Sequence, residues 1–333
     1  MRFRMAVILM FAAVALSGAD AVRDAELHQE RSEDELRFSG VFLPEVKTIA
    51  CITPASWPGN LLHRRGLELL RKSGVKVRVL PHSFTRPEPG KPAAPLKMRL
   101  EDLYAAWNDP EVDLILCIRG GRGCRELLAN LDWTRLKKRP ELYLQGYSDV
   151  TQITAAMLAK GLGRPVAGPM VVSLAGLDTE SIEAMRAMHH GEKVGPVPVK
   201  ALVAGDCSGF AFAGLLSRLA WVAESGYCPD MTGRIIFIEG VSSTPEKIRA
   251  DFQTLLDRKF FAGAAGVVYC HFLHCGKTAE VNAVLEDFAP KFGVPVYRGF
   301  PFGHSDRCYT IDFSRRVEIR SNAVTFPAVR AGK

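Results

Sequence analysis

Three short segments far apart in the chain carry residue types that can act together on a carbonyl group. Gly146-Tyr147-Ser148-Asp149 places a hydroxyl between an expected strand, Leu142 to Leu144, and an expected helix, Val150 to Lys160. A strand-to-helix turn of this kind exposes the hydroxyl and leaves neighbouring backbone N–H groups pointing outward, where an oxyanion can be held. A serine hydroxyl is a weak nucleophile, so it needs a base, and the base needs a group that orients it. His304, in Phe302-Gly303-His304, and Glu239, in Ile236-Phe237-Ile238-Glu239-Gly240, fit those roles in the chain order Ser…Glu…His. The constellation predicts a serine hydrolase.

Each residue alone also has a structural reading. Ser148 can cap the helix that follows, although Asp149 and Thr151 compete for that post, and Gly-x-Ser-Asp lacks the closing glycine of the hydrolase elbow. Glu239 can be a strand-end ion pair, and His304 a structural imidazole behind the rigid Phe300-Pro301-Phe302-Gly303 lead-in. Yet Glu239 closes an apolar strand and so stands at the carboxyl edge of a sheet, where ligands gather in open α/β sheets. Together the three fill every post that the mechanism demands. Arg119-Gly120-Gly121-Arg122-Gly123 matches neither the Walker spacing nor G-x-G-x-x-G. It is expected beside the serine, where the N–H groups of Gly121 and Asp149 form the oxyanion hole. Cys270-His271 and His274-Cys275 straddle a strand end without a second ligand pair of suitable spacing, so no metal site is predicted.

The elements that must position these groups alternate between strand and helix from Val46 onward. Strands are expected at Val46 to Thr53, Val75 to Leu80 and Val112 to Ile118, with helices at Leu61 to Lys72 and Leu96 to Trp107. Continuous apolar strands between helices indicate a buried parallel sheet. A second unit begins near Pro196-Val197-Pro198-Val199. It is read as an apolar helix from Phe210 to Val222, a strand from Arg234 to Glu239 and a helix from Thr244 to Phe260, capped by Ser243 with Glu246. A strand from Gly266 to Cys270 follows, then short strands at Val294 to Tyr297, Tyr309 to Phe313 and Arg316 to Ile319. The domains are therefore 45–190, with the serine, and 196–325, with the glutamate and histidine, and the site lies at their junction.

At 333 residues and 47% hydrophobic, the chain can support one large domain or two moderate ones. Arg2 and Arg4 precede an apolar stretch from Met5 to Leu16 and then Ala19-Asp20-Ala21, the pattern of a secretory signal cleaved after residue 21. Residues 22–44 read as a charged linker. The formal charge of +7 becomes +6 once Arg2, Arg4 and Asp20 are removed, and no nucleic-acid-binding signature accompanies it. Export points to the periplasm. The eight cysteines are expected mostly as free thiols, since Cys51, Cys117 and Cys270 fall in strand-like apolar runs.

From Val46 to Ile319 the chain resembles the LD-carboxypeptidase family, the muramoyltetrapeptide carboxypeptidases of cell-wall recycling. The resemblance is carried by Asp109-Pro110-Glu111-Val112-Asp113 with the glycine loop after it, by Gly146 to Thr151, by Gly168-Pro169-Met170, by the strand ending in Glu239 with Pro245 and Ile248 behind it, and by Phe302-Gly303-His304. It implies a Ser148–His304–Glu239 triad, an N-terminal flavodoxin-like domain, a C-terminal swivelling β/α domain and a homodimer, with no metal or organic cofactor. It also implies release of the terminal D-alanine from a muropeptide tetrapeptide. Two departures stand out: Arg122 replaces an aromatic residue of the glycine loop, and the Gly-Asn pair expected before the second domain's first helix is read as Gly205-Asp206. Arg122, Arg119 and Arg307 are candidates for binding the substrate's carboxylate, because a guanidinium suits bidentate contact. The rival readings are an enzyme like the microcin C self-immunity proteins, acting on peptidyl- or aminoacyl-nucleotides, and a periplasmic binding protein without turnover. An aromatic side chain in the cleft, able to stack on adenine, would favour the first of these.

Overall fold

The computed structural model of the protein describes residues 38–42, 44–59 and 62–329, so the expected leader and most of the expected linker lie outside the described residues. The first unit carries strands β1 (Thr48–Ile52), β2 (Lys76–Val79), β3 (Leu114–Cys117), β4 (Tyr143–Gln145) and β5 (Arg164–Ala167). Its helices are α1 (Leu62–Lys72), α2 (Leu96–Asn108), α3 (Cys124–Ala129), α4 (Thr151–Lys160) and α5 (Thr179–His189). Every residue of β1 and β3 is buried, as the unbroken apolar runs predict for strands covered on both faces. Those five strands lie in the order β5-β4-β3-β1-β2, all parallel, which is the flavodoxin-type winding.

The second unit contributes β6 (Val194–Pro198), β7 (Lys200–Val203), β8 (Cys207–Leu215), β9 (Arg234–Val241), β10 (Gly266–Leu273), β11 (Val296–Arg298), β12 (Ile311–Asp312), β13 (Arg316–Arg320) and β14 (Ala323–Phe326). With them come helices α6 (Leu216–Glu224), α7 (Pro245–Asp257) and α8 (Thr278–Phe288). Eight of these strands form one sheet in the order β6-β14-β13-β8-β9-β10-β11-β7. Its centre, β8 to β11, is parallel, and its flanks are antiparallel.

Four expectations are corrected. The span from Phe210 to Val222 is not one helix: β8 runs to Leu215, and only α6 is helical. Small residues decide this, because Gly209 approaches the Gly233 carbonyl so closely that a Cβ would stand 2.2 Å from it, and Phe210 to Leu215 pair with β9 residue by residue. The Gly-Leu pair directly ahead of α6 is Gly214-Leu215, so the departure from the expected Gly-Asn pair falls at Leu215 rather than at Gly205-Asp206. Helix α7 is capped by Thr244, whose side chain accepts from the Lys247 N–H, and not by Ser243; Pro245 at its first position fixes the start. The expected strand from Tyr309 to Phe313 is the short β12, and it joins the first sheet, antiparallel to β5.

That last pairing matters for the site. Residues 299–310 leave β11 in the second sheet and cross to β12 in the first, carrying Phe302-Gly303-His304 over the carboxyl edge of β4. Among the described residues no helix is long and apolar enough to cross a membrane, and all eight cysteines are free thiols.

Candidate active site

Ser148 directly follows the β4 exit and holds φ at +63°, a left-handed conformation that costs a non-glycine residue energy and is typical of strained functional turns. Crowding around it is relieved by two glycines. A Cβ on Gly146 would lie 2.8 Å from Val150 Cγ1, and one on Gly120 would lie 2.9 Å from Ser148 Cβ. Clearance that the elbow pattern assigns to a closing glycine is here supplied by Gly120, on the neighbouring loop after β3. The Ser148 carbonyl accepts from the Thr151 N–H, so a 3-10 turn over Ser148–Val150 leads into α4.

Glu239 sits on β9 with no exposed surface. Its Oε2 lies 2.8 Å from His304 Nδ1, and His304 Nε2 lies 3.0 Å from Ser148 Oγ. The carboxylate fixes the tautomer: Nδ1–H donates to Glu239, which leaves Nε2 as the acceptor facing the hydroxyl. The Tyr147 ring packs 4.9 Å from the imidazole, and Phe302 is fully buried behind it. The second oxygen, Oε1, is buried without a hydrogen-bond partner. Burial, with nearby Glu239 charge adding to it, pushes the Cys308 thiol up to about 12, so that thiol stays protonated at neutral pH.

Gly121 and Asp149 lie on the two loops that meet at Ser148. The Gly120 carbonyl accepts from the Ser56 N–H, and the Arg122 N–H donates to Ser56 Oγ, so the glycine loop is pinned against the segment after β1. Gly121 has φ at +106°, and a Cβ there would meet Ser56 Oγ at 2.4 Å; only glycine fits. Among the described residues, no protein acceptor takes the N–H of Gly121 or of Asp149. The buried Asp149 carboxylate accepts from the Cys124 N–H, from Gln152 Nε2 and from Arg218 Nε.

The three candidate arginines are not together. Arg122 lines a cavity of about 430 Å³ beside Asp149, with Arg125, Arg218 and Trp221. Arg119 is exposed and donates to the Trp57 carbonyl. Arg307 is held by Asp178 at 2.9 Å and Glu180 at 2.7 Å, and its guanidinium is committed to them. Arg65, which the sequence did not single out, lines a second cavity of about 560 Å³ with Tyr147, Ser173 and His304. Ser56 and Arg218 were missed as well. Neither belongs to a motif, and only folding reveals what they support.

An α/β protein of two sheets, with a serine, a histidine and a glutamate meeting at the carboxyl edge of the first, is the class that this fold and site define. Residues 49–166 match the model of the LD-carboxypeptidase N-terminal domain, and residues 208–319 match that of the LD-carboxypeptidase C-terminal domain. The chain belongs to the LD-carboxypeptidase family. A probable murein peptide carboxypeptidase of Bacillus subtilis is 28% identical over 283 residues, covering 81% of this chain and 87% of that one. Among solved structures, an MccF-like protein of Bacillus anthracis superposes with a TM-score of 0.76 at 19% identity, over 86% of this chain and 98% of that one. A muramoyltetrapeptide carboxypeptidase of Oxalobacter formigenes superposes with a TM-score of 0.70 at 22% identity, over 84% and 100%. At such identities these two structures speak for the fold.

Proposed function

We propose that the protein is a serine carboxypeptidase that releases the C-terminal D-alanine from peptidoglycan-derived tetrapeptides. The observation that carries the reading is the continuous path from Ser148 Oγ through His304 to Glu239. In the acylation step Ser148 Oγ bonds to the scissile carbonyl carbon while its proton moves to His304 Nε2. Glu239 stabilises the imidazolium, and the N–H groups of Gly121 and Asp149 stabilise the oxyanion. The imidazolium then gives its proton to the leaving amine as the C–N bond breaks. Water, deprotonated by the same nitrogen, releases the acyl group and restores the serine.

Family membership and the name of the Bacillus subtilis relative support a murein peptide as substrate. The leader with Arg2, Arg4 and Met5 to Leu16 supports action outside the inner membrane, which fractionation of the tagged protein would test. The homodimer rests on the family resemblance and is open to sedimentation.

A second reading has its own support. Trp221 and the arginines beside Asp149 offer an aromatic face and positive charge, chemistry that suits the base and phosphate of an aminoacyl-nucleotide. The deciding experiment offers purified protein a disaccharide-tetrapeptide and, separately, an aminoacyl-adenylate analogue, with Ser148→Ala as control. D-Alanine release that falls roughly four to six orders of magnitude in the control is the expected result. Turnover of the nucleotide conjugate alone would select the second reading. Release at the parent rate by Ser148→Ala would reject the nucleophile.

A further inference from the structure

Arg218 lies on the first turn of α6, in the second unit, yet its guanidinium ends on the first. Nε donates to Asp149 Oδ1 at 2.6 Å, and Nη2 donates to the Gly121 carbonyl at 3.1 Å. One side chain thus bridges the two residues whose amides are expected to form the oxyanion hole and find no protein acceptor among the described residues. We infer that Arg218 is a positioning residue that sets the oxyanion-hole amides from across the domain junction. The inference rests on the serine-hydrolase reading of the site.

Peptide geometry shows how the bridge acts. The Gly121 N–H shares a peptide plane with the Gly120 carbonyl, which the Ser56 N–H holds; the next plane is held at both ends, its Gly121 carbonyl by Arg218 and its Arg122 N–H by Ser56 Oγ. A glycine with φ at +106° has no Cβ to restrict it, so pinning both adjacent planes is what fixes the direction of its N–H. On the other side, the Asp149 N–H depends on the strained Ser148 turn, and the Asp149 carboxylate is the handle by which that turn is held. Arg218, Gln152 and the Cys124 N–H all pull on this carboxylate, which is 3% exposed. Arg218 is the only one of the three that comes from the second unit.

The base of the arginine is itself fixed. The Leu215 N–H, just ahead of α6, donates to Thr151 Oγ1 at 3.1 Å. A Cβ on Gly214 would lie 2.4 Å from Thr151 Cγ2, so the two units touch closely at this point. Donors aimed at the developing oxyanion act on the transition state and little on the bound substrate, so losing their alignment should appear in kcat.

The test compares Arg218→Met and Arg218→Lys with the parent enzyme and with Ser148→Ala, on a muropeptide tetrapeptide and on a peptide boronic acid that forms a tetrahedral adduct with the serine. Arg218→Met is expected to lower kcat about 10- to 100-fold, less than outright removal of an oxyanion-hole donor, with KM changed by no more than about twofold. Boronate affinity should fall by the same factor as kcat/KM, and Arg218→Lys should recover part of both. Should Arg218→Met not fold, Arg218→Leu takes its place, since it too removes every donor to Asp149 and Gly121. Parental kcat and boronate affinity per folded molecule, in whichever of these two variants folds, would overturn the inference, even with a lowered Tm. If instead Ser148→Ala keeps the parent rate, it is the hydrolase reading that fails.

Discussion

Gly303 and Glu239 pack so closely that a Cβ at residue 303 would lie 2.8 Å from Glu239 Oε2, the oxygen that holds His304. With φ at +121°, Gly303 also occupies backbone space closed to other L-residues. Gly303→Ala should therefore push the imidazole and the carboxylate apart. We expect kcat for D-alanine release to drop by about 100-fold or more, as for other displacements near 1 Å. Steady-state kinetics beside a thermal melt would check it; unchanged kcat in a folded variant would contradict the packing.

Glu239→Gln separates the electrostatic role of the carboxylate from its shape. A glutamine amide would donate to His304 Nδ1 and force the proton onto Nε2, which could no longer accept from Ser148. The loss in kcat should be on the order of 10⁴-fold. Stability should move the other way or not at all, because the parent buries a charged group whose Oε1 has no hydrogen-bond partner. A Tm well below the parent's would show that the carboxylate–imidazole hydrogen bond also supports the fold.

How much of this could be read beforehand depended on where each residue's signal lay. β1 and β3 are buried along their whole length, so their apolar runs marked them as strands. Ser148, Glu239 and His304 could be found because each stands at the end of an element or beside a glycine, where a side chain is presented at an edge. The span from Phe210 to Val222 reads as one helix because a strand of small and apolar residues passes directly into an apolar helix, with no polar or turn residue at the join. β12 carried no signal of its sheet, since two residues pairing with Ile311↔Ala167 register leave no period to detect. Arg218 was hidden for a related reason: its partners Asp149 and Gly121 are 69 and 97 residues away.

Gly120→Ala tests the clearance around the nucleophile with little disturbance elsewhere. The new methyl would lie 2.9 Å from Ser148 Cβ, 3.2 Å from its Oγ and 3.3 Å from the Asp149 nitrogen. Gly120 is not among the glycines with positive φ, so alanine meets crowding there rather than backbone strain. kcat should fall by about 10-fold or more, while the unfolding free energy changes by about 1 to 3 kcal/mol, the usual cost of overpacking. A parent-like kcat would mean that the serine turn shifts freely, at odds with its tight surroundings.

His189 gives the fold a dependence on acid that is separate from the active site. Its ring is buried beside Phe42, and Nε2 lies 2.9 Å from Gln145 Oε1. Burial, helped by the His190 charge, lowers its pKa from 6.5 to about 4. The neutral form therefore belongs to the folded state, and its stabilising effect is fully present above pH 6.5. As pH falls below 6.5 the unfolded chain binds the proton first, and stability is lost down to about pH 4, where the loss reaches about 3 kcal/mol. His189→Gln removes this titration while keeping a polar group near Gln145. Its Tm should start lower than the parent's at pH 7.5, and the gap should narrow by pH 4.5. Parallel Tm curves for the two proteins across that range would show that the buried imidazole does not titrate with folding.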